Sequence, residues 1–536
     1  MQVADFFCGA GGFSEGFRQA GFDIVFAIDK WLPAYNTYKA NKPTTNIVLD
    51  DVIRISNLPD EEFNELVPDT EVIIGSPPCV AFSSSNKSGN GDKTLGIKLF
   101  EAYLRIVARK KYKEGSILKY WVLENVPNIR NYIKSEYTAA DLGLKGDFIL
   151  KVINGSSDVY NAKYFGVPSK RQRFLCGEFP APQPTNGEAG VIPLKTVLEA
   201  LGEPCANDRN VIVDCNYPDF KMNVHDVSDH QYEFIVPEFE WKKAKRLKQD
   251  KGYMGKMSFP EDINKPSRTV MATMSACSRE SMILGRRDGT YRLPTVREIA
   301  SMMSFPIDYK FYGVSKGVKY TLVGNAVPPK LSYAVAVAIR RSEGLAIPKG
   351  YTPIQHNDAV DFYNLNYVRI PEKEEKQKRV DAKFKYHIPY LILDAYRVEL
   401  TNCHSKFKDN IITWSIEIHH SQGKEKARVF TPNIVIDDIE ESFRDKITEY
   451  INNTRTKLCS EAELQIRHRM TDVQRKGLIG PLELLEGVRG LIDAVMSPEQ
   501  QSKICRLNEE PFKIPSAIQV GYFLLTECLT IIRGYN

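Results

Sequence analysis

The sequence predicts an α/β domain over about its first 180 residues, a smaller middle module and an α+β segment at the end. Three observations predict it. Strand-like apolar runs alternate with helical stretches from Val3 to Gly177. The first run enters a glycine-rich turn, Cys8-Gly9-Ala10-Gly11-Gly12. A later run, Val72-Ile73-Ile74, stops at Gly75-Ser76-Pro77-Pro78-Cys79, where two prolines cannot continue a central strand and must turn the chain out of the sheet.

Val3 to Phe7 reads as the first strand, and the turn after it opens a helix closing near Ala20-Gly21. Strand, glycine turn and helix form a nucleotide-type cofactor site. Ser14 stands where a G-x-G-x-x-G pattern has its third glycine, which weakens a dinucleotide reading. A second strand, Asp23 to Ile28, ends at Asp29, placed to accept from ribose hydroxyls, and a third, Asn46 to Leu49, ends at Asp50-Asp51. Two carboxylates without a phosphate-binding lysine point to a cofactor that is cationic or uncharged near its ribose, as S-adenosylmethionine is. Helix capping or turn chemistry explains Asp29 and Asp51 equally well one at a time.

The fourth strand delivers Cys79 to the carboxyl edge of the sheet, where open α/β sheets do chemistry. The Ser-, Asn- and Gly-rich stretch from Val80 to Lys93 reads as a loop over it. A fifth strand, Tyr120 to Leu123, ends in Glu124-Asn125-Val126-Pro127 and brings a carboxylate to the same edge. Phe148 to Ile153 reads as a further strand. Arg171 and Arg173, at i and i+2 where Phe174-Leu175-Cys176 begins, share one face and can fork onto a phosphate or a polarised carbonyl. Pro180-Ala181-Pro182-Gln183-Pro184 is a linker. Residues from about 191 to 284 have weak periodicity and a basic run, Lys242 to Lys248. That run and Arg109 to Lys113 are either nucleic-acid contacts or solvated faces. A helix start at Pro294-Thr295 and an apolar helix from Leu331 to Ile339 follow.

In order, these segments resemble the cytosine-5 DNA methyltransferase family in its compact bacterial form, over residues 1 to about 343. Phe7-Cys8-Gly9-Ala10-Gly11-Gly12-Phe13-Ser14 is similar to the cofactor loop, Ser76-Pro77-Pro78-Cys79 to the Pro-Cys motif, Glu124-Asn125-Val126 to the Glu-Asn-Val motif and Arg171-Gln172-Arg173 to the Arg-x-Arg motif. Arg297-Glu298 with Phe305-Pro306 resembles the ninth motif and Gly324-Asn325-Ala326-Val327-Pro328-Pro329 the tenth. The sequence departs from the family pattern at Val80, at Asp92-Lys93-Thr94 and at Pro168-Ser169.

The resemblance implies a Rossmann-like S-adenosylmethionine-dependent methyltransferase sheet with a small target-recognition domain and an extra C-terminal α+β domain. The implied domains are 1–180 (catalytic, cofactor-binding), 185–290 (target recognition), 291–345 (return to the large domain) and 346–536 (accessory). The implied reaction is methyl transfer from S-adenosylmethionine to C5 of a flipped cytosine in a specific sequence of double-stranded DNA, as the modification arm of a restriction or defence system. Cys79 is the implied nucleophile at C6, Glu124 the contact to N3 and the exocyclic amine, and Arg173 the contact to O2, with Arg171 in support. Phe7, Gly9, Gly11, Gly12, Asp29, Asp51, Pro78 and Asn325 are the expected cofactor contacts; Ser83, Ser85, Lys87, Lys256 and Thr273 are the expected DNA contacts. A tRNA cytosine-5 methyltransferase is the alternative, although the Cys-Phe-Thr signature of that subfamily is missing. A methylase fused to a nuclease or to a partner-binding C-terminal domain is another.

The chain carries a net charge of +5, which permits a nucleic-acid partner. Its ten scattered cysteines include no Cys-x-x-Cys pair, fitting a reduced cytoplasm of a bacterial or archaeal cell and no metal. No leader and no membrane span are expected. Acidic residues at Asp437-Asp438 and Glu440-Glu441 read as a helix first turn rather than a nuclease centre, and His419-His420 has no further ligands at metal spacing in the sequence. The C-terminal segment is expected to contact DNA or another protein of a restriction or defence system.

Overall fold

A computed structural model describes residues 1–78, 82, 93–206, 208–250, 256–421 and 427–535. The chain divides into two compact units: residues 1–236, 260–276 and 280–371 form one, and 237–259, 277–279 and 372–536 the other.

The first unit is built on a seven-stranded sheet. Its strands are β1 (Gln2–Phe6), β2 (Asp23–Asp29), β3 (Asn46–Leu49), β4 (Val72–Gly75), β5 (Tyr120–Asn125), β6 (Asp158–Asn161) and β7 (Gln172–Glu178). They lie in the order β3-β2-β1-β4-β5-β7-β6. The first five run parallel, and β7 lies antiparallel to both β5 and β6. All four residues of β4 are buried, as a central strand covered on both faces requires. The order reverses between β1 and β4, so the loops leaving their carboxyl ends diverge and open a crevice. Phe7 to Gly11 and Ser76 to Pro78 leave the sheet there.

Helices complete the layers. α1 (Gly12–Gln19) packs on the late helix Pro329–Ser342, and a Cβ on Gly12 would fall 2.2 Å from the carbonyl oxygen of Val327. That glycine therefore serves close packing. The helix Lys93–Lys111 lies on β4 and β5; its Tyr103 hydroxyl donates to the carbonyls of Ile73 and Val122. The helix Val296–Met302 starts at a capping box of Thr295 and Glu298, where Pro294-Thr295 predicts a start. By length and composition alone Lys316–Ser342 could cross a membrane, but it breaks at Ala326 between two helices and is mostly buried in the core.

Some expectations change. Only Ile149–Lys151 of the strand expected over Phe148 to Ile153 is extended, and it pairs with Glu136–Thr138 in a separate ribbon. The sheet edge is β6 instead, whose polar ends hide it from a periodicity reading. The basic run Arg109 to Lys113 is spent internally: Arg109 pairs with Asp60, Lys110 and Lys113 with Asp69, and Lys111 with Glu178. Residues 346–371 belong with the first unit. Asp308 accepts from the Tyr351 hydroxyl at 2.6 Å and the Ile354 amide at 2.9 Å, and Asp229 accepts from the Leu365 amide at 3.0 Å.

The second unit holds a four-stranded antiparallel sheet, β8 (Lys385–His387), β9 (Tyr396–Thr401), β10 (Ser415–His420) and β11 (Arg428–Phe430), paired in that order. Val398, Leu400, Ile416 and Ile418 face a core shared with the helices Glu441–Arg455, Pro481–Val495 and Ser516–Arg533. Of the acidic residues expected in a helix first turn, Glu440 and Glu441 stand at the start of the first of these helices, whereas Asp437 and Asp438 lie in a separate 3-10 turn, Ile436–Asp438. The helix Glu238–Gln249 clusters with this unit although it lies within the chain's middle module.

Candidate active site

The crevice at the sheet reversal is built from three loop starts. β1 ends at Phe6, and the turn beyond it needs left-handed backbone at Phe7 (φ +56°), Gly9 (φ +52°) and Gly11 (φ +80°). Around the missing Cβ of Gly9 there is open space, whereas that of Gly11 faces the Tyr309 hydroxyl at 2.7 Å. Gly9 thus leaves room for a ligand to approach the backbone, and Gly11 and Gly12 close the turn against the protein.

β2 ends in Asp29, whose carboxylate accepts from the Gly9 amide at 2.9 Å and the Trp31 amide at 2.8 Å. The glycine turn is therefore locked to the end of β2. Burial pushes the Asp29 carboxyl up from its usual range, against the pull of those two amides and Lys30. Asp51 caps the short helix Val52–Ser56 through the Ile53 amide at 2.8 Å, and Lys30 lies 3.3 Å from its other oxygen. Capping thus occupies one oxygen of Asp51, and its side chain remains 38% exposed. Asn325, at the end of the helix Lys316–Asn325, is exposed, and its side chain makes no hydrogen bond to the described residues. An open backbone and two half-buried acids, with the adjacent lysine already paired, fit a hydroxyl-bearing, positively charged ligand without phosphate.

On the other side of the reversal, β4 and β5 deliver a second cluster. Glu124 is 3% exposed. Its Oε2 accepts from Ser76 Oγ at 2.5 Å. Its Oε1 lies 2.6 Å from Arg173 Nε, close enough for a strong charge contact but off the line of the N–H, so that this buried oxygen accepts no aligned hydrogen bond from the described residues. Arg173 also donates to the Gln172 carbonyl at 2.7 Å. Asn125 Nδ2 donates to the Pro77 carbonyl at 3.0 Å. β5 thus fixes both residues that precede Pro78, an exposed proline at the lip of the sheet. Sequence reasoning gave Asn125 no role of its own; its place beside Glu124 is the signal that could have supplied one.

Arg171 and Arg173 do not share a target. Arg171 is 1% exposed and donates to the carbonyls of Val270 (3.2 Å), Gly324 (2.9 Å) and Ala326 (3.0 Å). It ties the start of β7 to both neighbours of Asn325. Thr273 is exposed on the same segment as Val270, which is pinned further by Thr321 Oγ1 on the Ala272 carbonyl at 3.1 Å. Lys256 is exposed in the second unit. Cys79, Ser83, Ser85 and Lys87 lie outside the described residues.

A family model described as C-5 cytosine-specific DNA methylase matches residues 1–341. The type II methyltransferase M.MthTI of Methanothermobacter thermautotrophicus is 30% identical over 355 residues, covering 64% of this chain and 97% of that protein. The type II methyltransferase M.NgoPII of Neisseria gonorrhoeae is 27% identical over 358 residues, covering 64% and 96%. Among solved structures, the S. pombe Dnmt2 methyltransferase aligns over 64% of this chain and 99% of its own at 19% identity, with a TM-score of 0.42.

Proposed function

The chain belongs to the C-5 cytosine-specific DNA methylase family, and on that premise we propose that Cys79 carries out covalent catalysis on a cytosine flipped out of duplex DNA. The enzyme is a DNA cytosine-5 methyltransferase, and S-adenosylmethionine is its methyl donor. When bound, S-adenosylmethionine supplies an electrophilic methyl group. The crevice of Gly9, Asp29, Asp51 and Asn325 would hold it, with Phe7 and Pro78 along its edge.

Carbon 5 of cytosine is a weak nucleophile. Addition of the Cys79 thiolate to carbon 6 forms an S–C bond and makes carbon 5 enamine-like. Glu124 hydrogen-bonds ring N3 and the exocyclic amine, and Arg173 holds O2, so that charge arriving in the ring is neutralised where it collects. Once carbon 5 is methylated, loss of its proton restores the double bond and the S–C bond breaks. The base has to leave the helix because both faces of carbon 6 are stacked in a duplex.

The observation that supports this most is the Ser76–Glu124–Arg173 chain, with contacts of 2.5 and 2.6 Å. Among the described residues it leaves a buried carboxylate oxygen with the charge contact to Arg173 but no aligned hydrogen-bond donor, and the Pro77 carbonyl nearby in sequence to Cys79 is anchored by Asn125. Arg171 is a positioning residue in this reading. The type II relatives support a role as the modification arm of a restriction system, methylating one DNA sequence. Transfer of labelled methyl groups to duplex DNA, with bisulfite mapping of the product, tests the reading. Label at C5 of cytosine within one recurring sequence is expected. Label on tRNA and none on DNA would overturn it.

A further inference from the structure

The second unit carries a cluster that the methyl-transfer reaction does not use. Antiparallel pairing sets Glu399 of β9 directly opposite Glu417 of β10, and His419 lies two residues along on the same face. Sequence spacing hides the cluster around His419: Glu417 lies two residues before it on the same strand, and the neighbouring strand supplies Glu399. His419 Nε2 is 2.8 Å from Glu417 Oε2 and 3.1 Å from Glu399 Oε2. One ligand atom from each of the three residues falls within 4.8 Å of the others. Glu399 is 5% and His419 4% exposed.

Like charges directly opposite on a sheet repel. One imidazole N–H can serve only one of these carboxylates, and it bonds Glu417. Glu399 Oε2 is left buried, aimed at the same point, with no hydrogen-bond donor among the described residues. The outer oxygens are held from behind. Arg397 Nε donates to Glu399 Oε1 at 2.6 Å, and His404 Nε2 lies 2.8 Å from Glu417 Oε1. Lys385 Nζ stands 3.4 Å from Glu399 Oε2 on a side chain that is 50% exposed. It is placed as a weak substitute cation that can swing into solvent.

We propose that Glu399, Glu417 and His419 bind one divalent transition-metal ion of the zinc class. One imidazole and two carboxylates converging on a point suit such an ion, whereas magnesium and calcium favour oxygen ligands throughout. On metal binding the proton that His419 Nε2 shares with Glu417 moves to Nδ1, so that the still neutral imidazole gives the Nε2 lone pair as a ligand, and each glutamate gives one oxygen. Arg397 and His404 fix the rotamers through the other oxygens, as outer partners of metal ligands do. Three protein ligands leave a further position for water.

The test uses the full-length protein, stripped with chelator and dialysed against zinc chloride, with bound zinc measured by elemental analysis. Glu399→Gln and His419→Ala should each lose one equivalent relative to wild type, with unchanged circular dichroism. His404→Ala should bind about tenfold more weakly. Lys385→Ala, which removes the competitor without touching a ligand, should bind zinc at least about threefold more tightly, following the removal of a like charge. Cobalt(II) in the site should show d–d bands without thiolate charge transfer, and Glu399→Gln should abolish them. Equal zinc in wild type, Glu399→Gln and His419→Ala would overturn the proposal. So would an affinity indifferent to Lys385, or a cobalt spectrum carrying the thiolate band.

Discussion

Asn125 Nδ2 donates to the Pro77 carbonyl over 3.0 Å, so the last residue of β5 sets the path of the chain that leaves β4. The bond is buried, and Asn125 is 1% exposed. Removing it should move the chain just before Cys79 while leaving Gly9, Asp29, Asp51 and Asn325 of the cofactor crevice in place. Asn125→Ala is expected to lower kcat about tenfold, equivalent to about 1–2 kcal/mol for one buried hydrogen bond. Cofactor affinity by calorimetry should stay within twofold of wild type, taking about 0.4 kcal/mol as the limit. An unchanged kcat would mean that the Pro77 carbonyl does not position the nucleophile.

Arg171 is expected to act through packing. Its guanidinium bridges Val270, Gly324 and Ala326, and a lysine ammonium cannot span all three carbonyls. Arg171→Lys should lower unfolding stability by about 2–4 kcal/mol in urea, the sum of charged hydrogen bonds lost. It should also raise the cofactor KM, because both neighbours of Asn325 are released. A variant of wild-type stability with kcat alone reduced would instead place Arg171 against the substrate.

Asp29 joins two jobs, holding the Gly9 amide and facing the crevice. Asp29→Ala should weaken S-adenosylmethionine binding by about 1–3 kcal/mol. Asp29→Asn, which keeps an acceptor for Gly9 but loses the charge, should fall between the two. Calorimetry showing wild-type affinity for Asp29→Ala would remove the residue from the cofactor site.

Beneath the glycine turn, Asp5 is fully buried, with Ser14 Oγ donating to it. Burial pushes its carboxyl up to about 7, against the bond from Ser14 and the charge of Lys42. The folded protein therefore holds this proton more tightly than the unfolded chain. The contribution to stability is complete below about pH 4 and is lost as pH rises to about 7. Asp5→Asn, neutral at every pH, should gain on wild type across that window by an amount on the order of 2–4 kcal/mol. The check is the difference between the two proteins in urea unfolding at pH 5 and pH 8. A difference independent of pH would show that Asp5 does not titrate there.

The sequence makes the catalytic half of this fold readable because its signals are local. The Gly9 to Gly12 turn follows a buried strand, two prolines follow Ile74 and Gly75, and Glu124 ends an apolar run, so each element announces itself within about eight residues. Relations set by distant chain are silent. Arg171 reads as a partner of Arg173, yet its acceptors lie 99, 153 and 155 residues away on backbone carbonyls that carry no side-chain signature. The Arg109 to Lys113 run looks like a nucleic-acid patch until folding brings Asp60, Asp69 and Glu178 to it. β6 has one valine and one tyrosine between Asp158 and Asn161, too little alternation to mark a strand. Glu399 and His419 stand 20 positions apart and meet only through strand register.

Covalent catalysis in this reading rests on attack of Cys79 at carbon 6 of the cytosine ring. The most direct measurement incubates the protein with S-adenosylmethionine and duplex DNA carrying 5-fluorocytosine at the mapped target, then separates the products under denaturing conditions. Fluorine cannot leave as a proton does, so the final elimination is blocked and the S–C bond is retained. Wild type should give a protein–DNA adduct that survives denaturation, with the crosslinked peptide containing Cys79. Cys79→Ala should give none while binding the cofactor as wild type does. An adduct formed by Cys79→Ala, or none formed by a wild-type enzyme that methylates ordinary DNA, would remove Cys79 as the nucleophile.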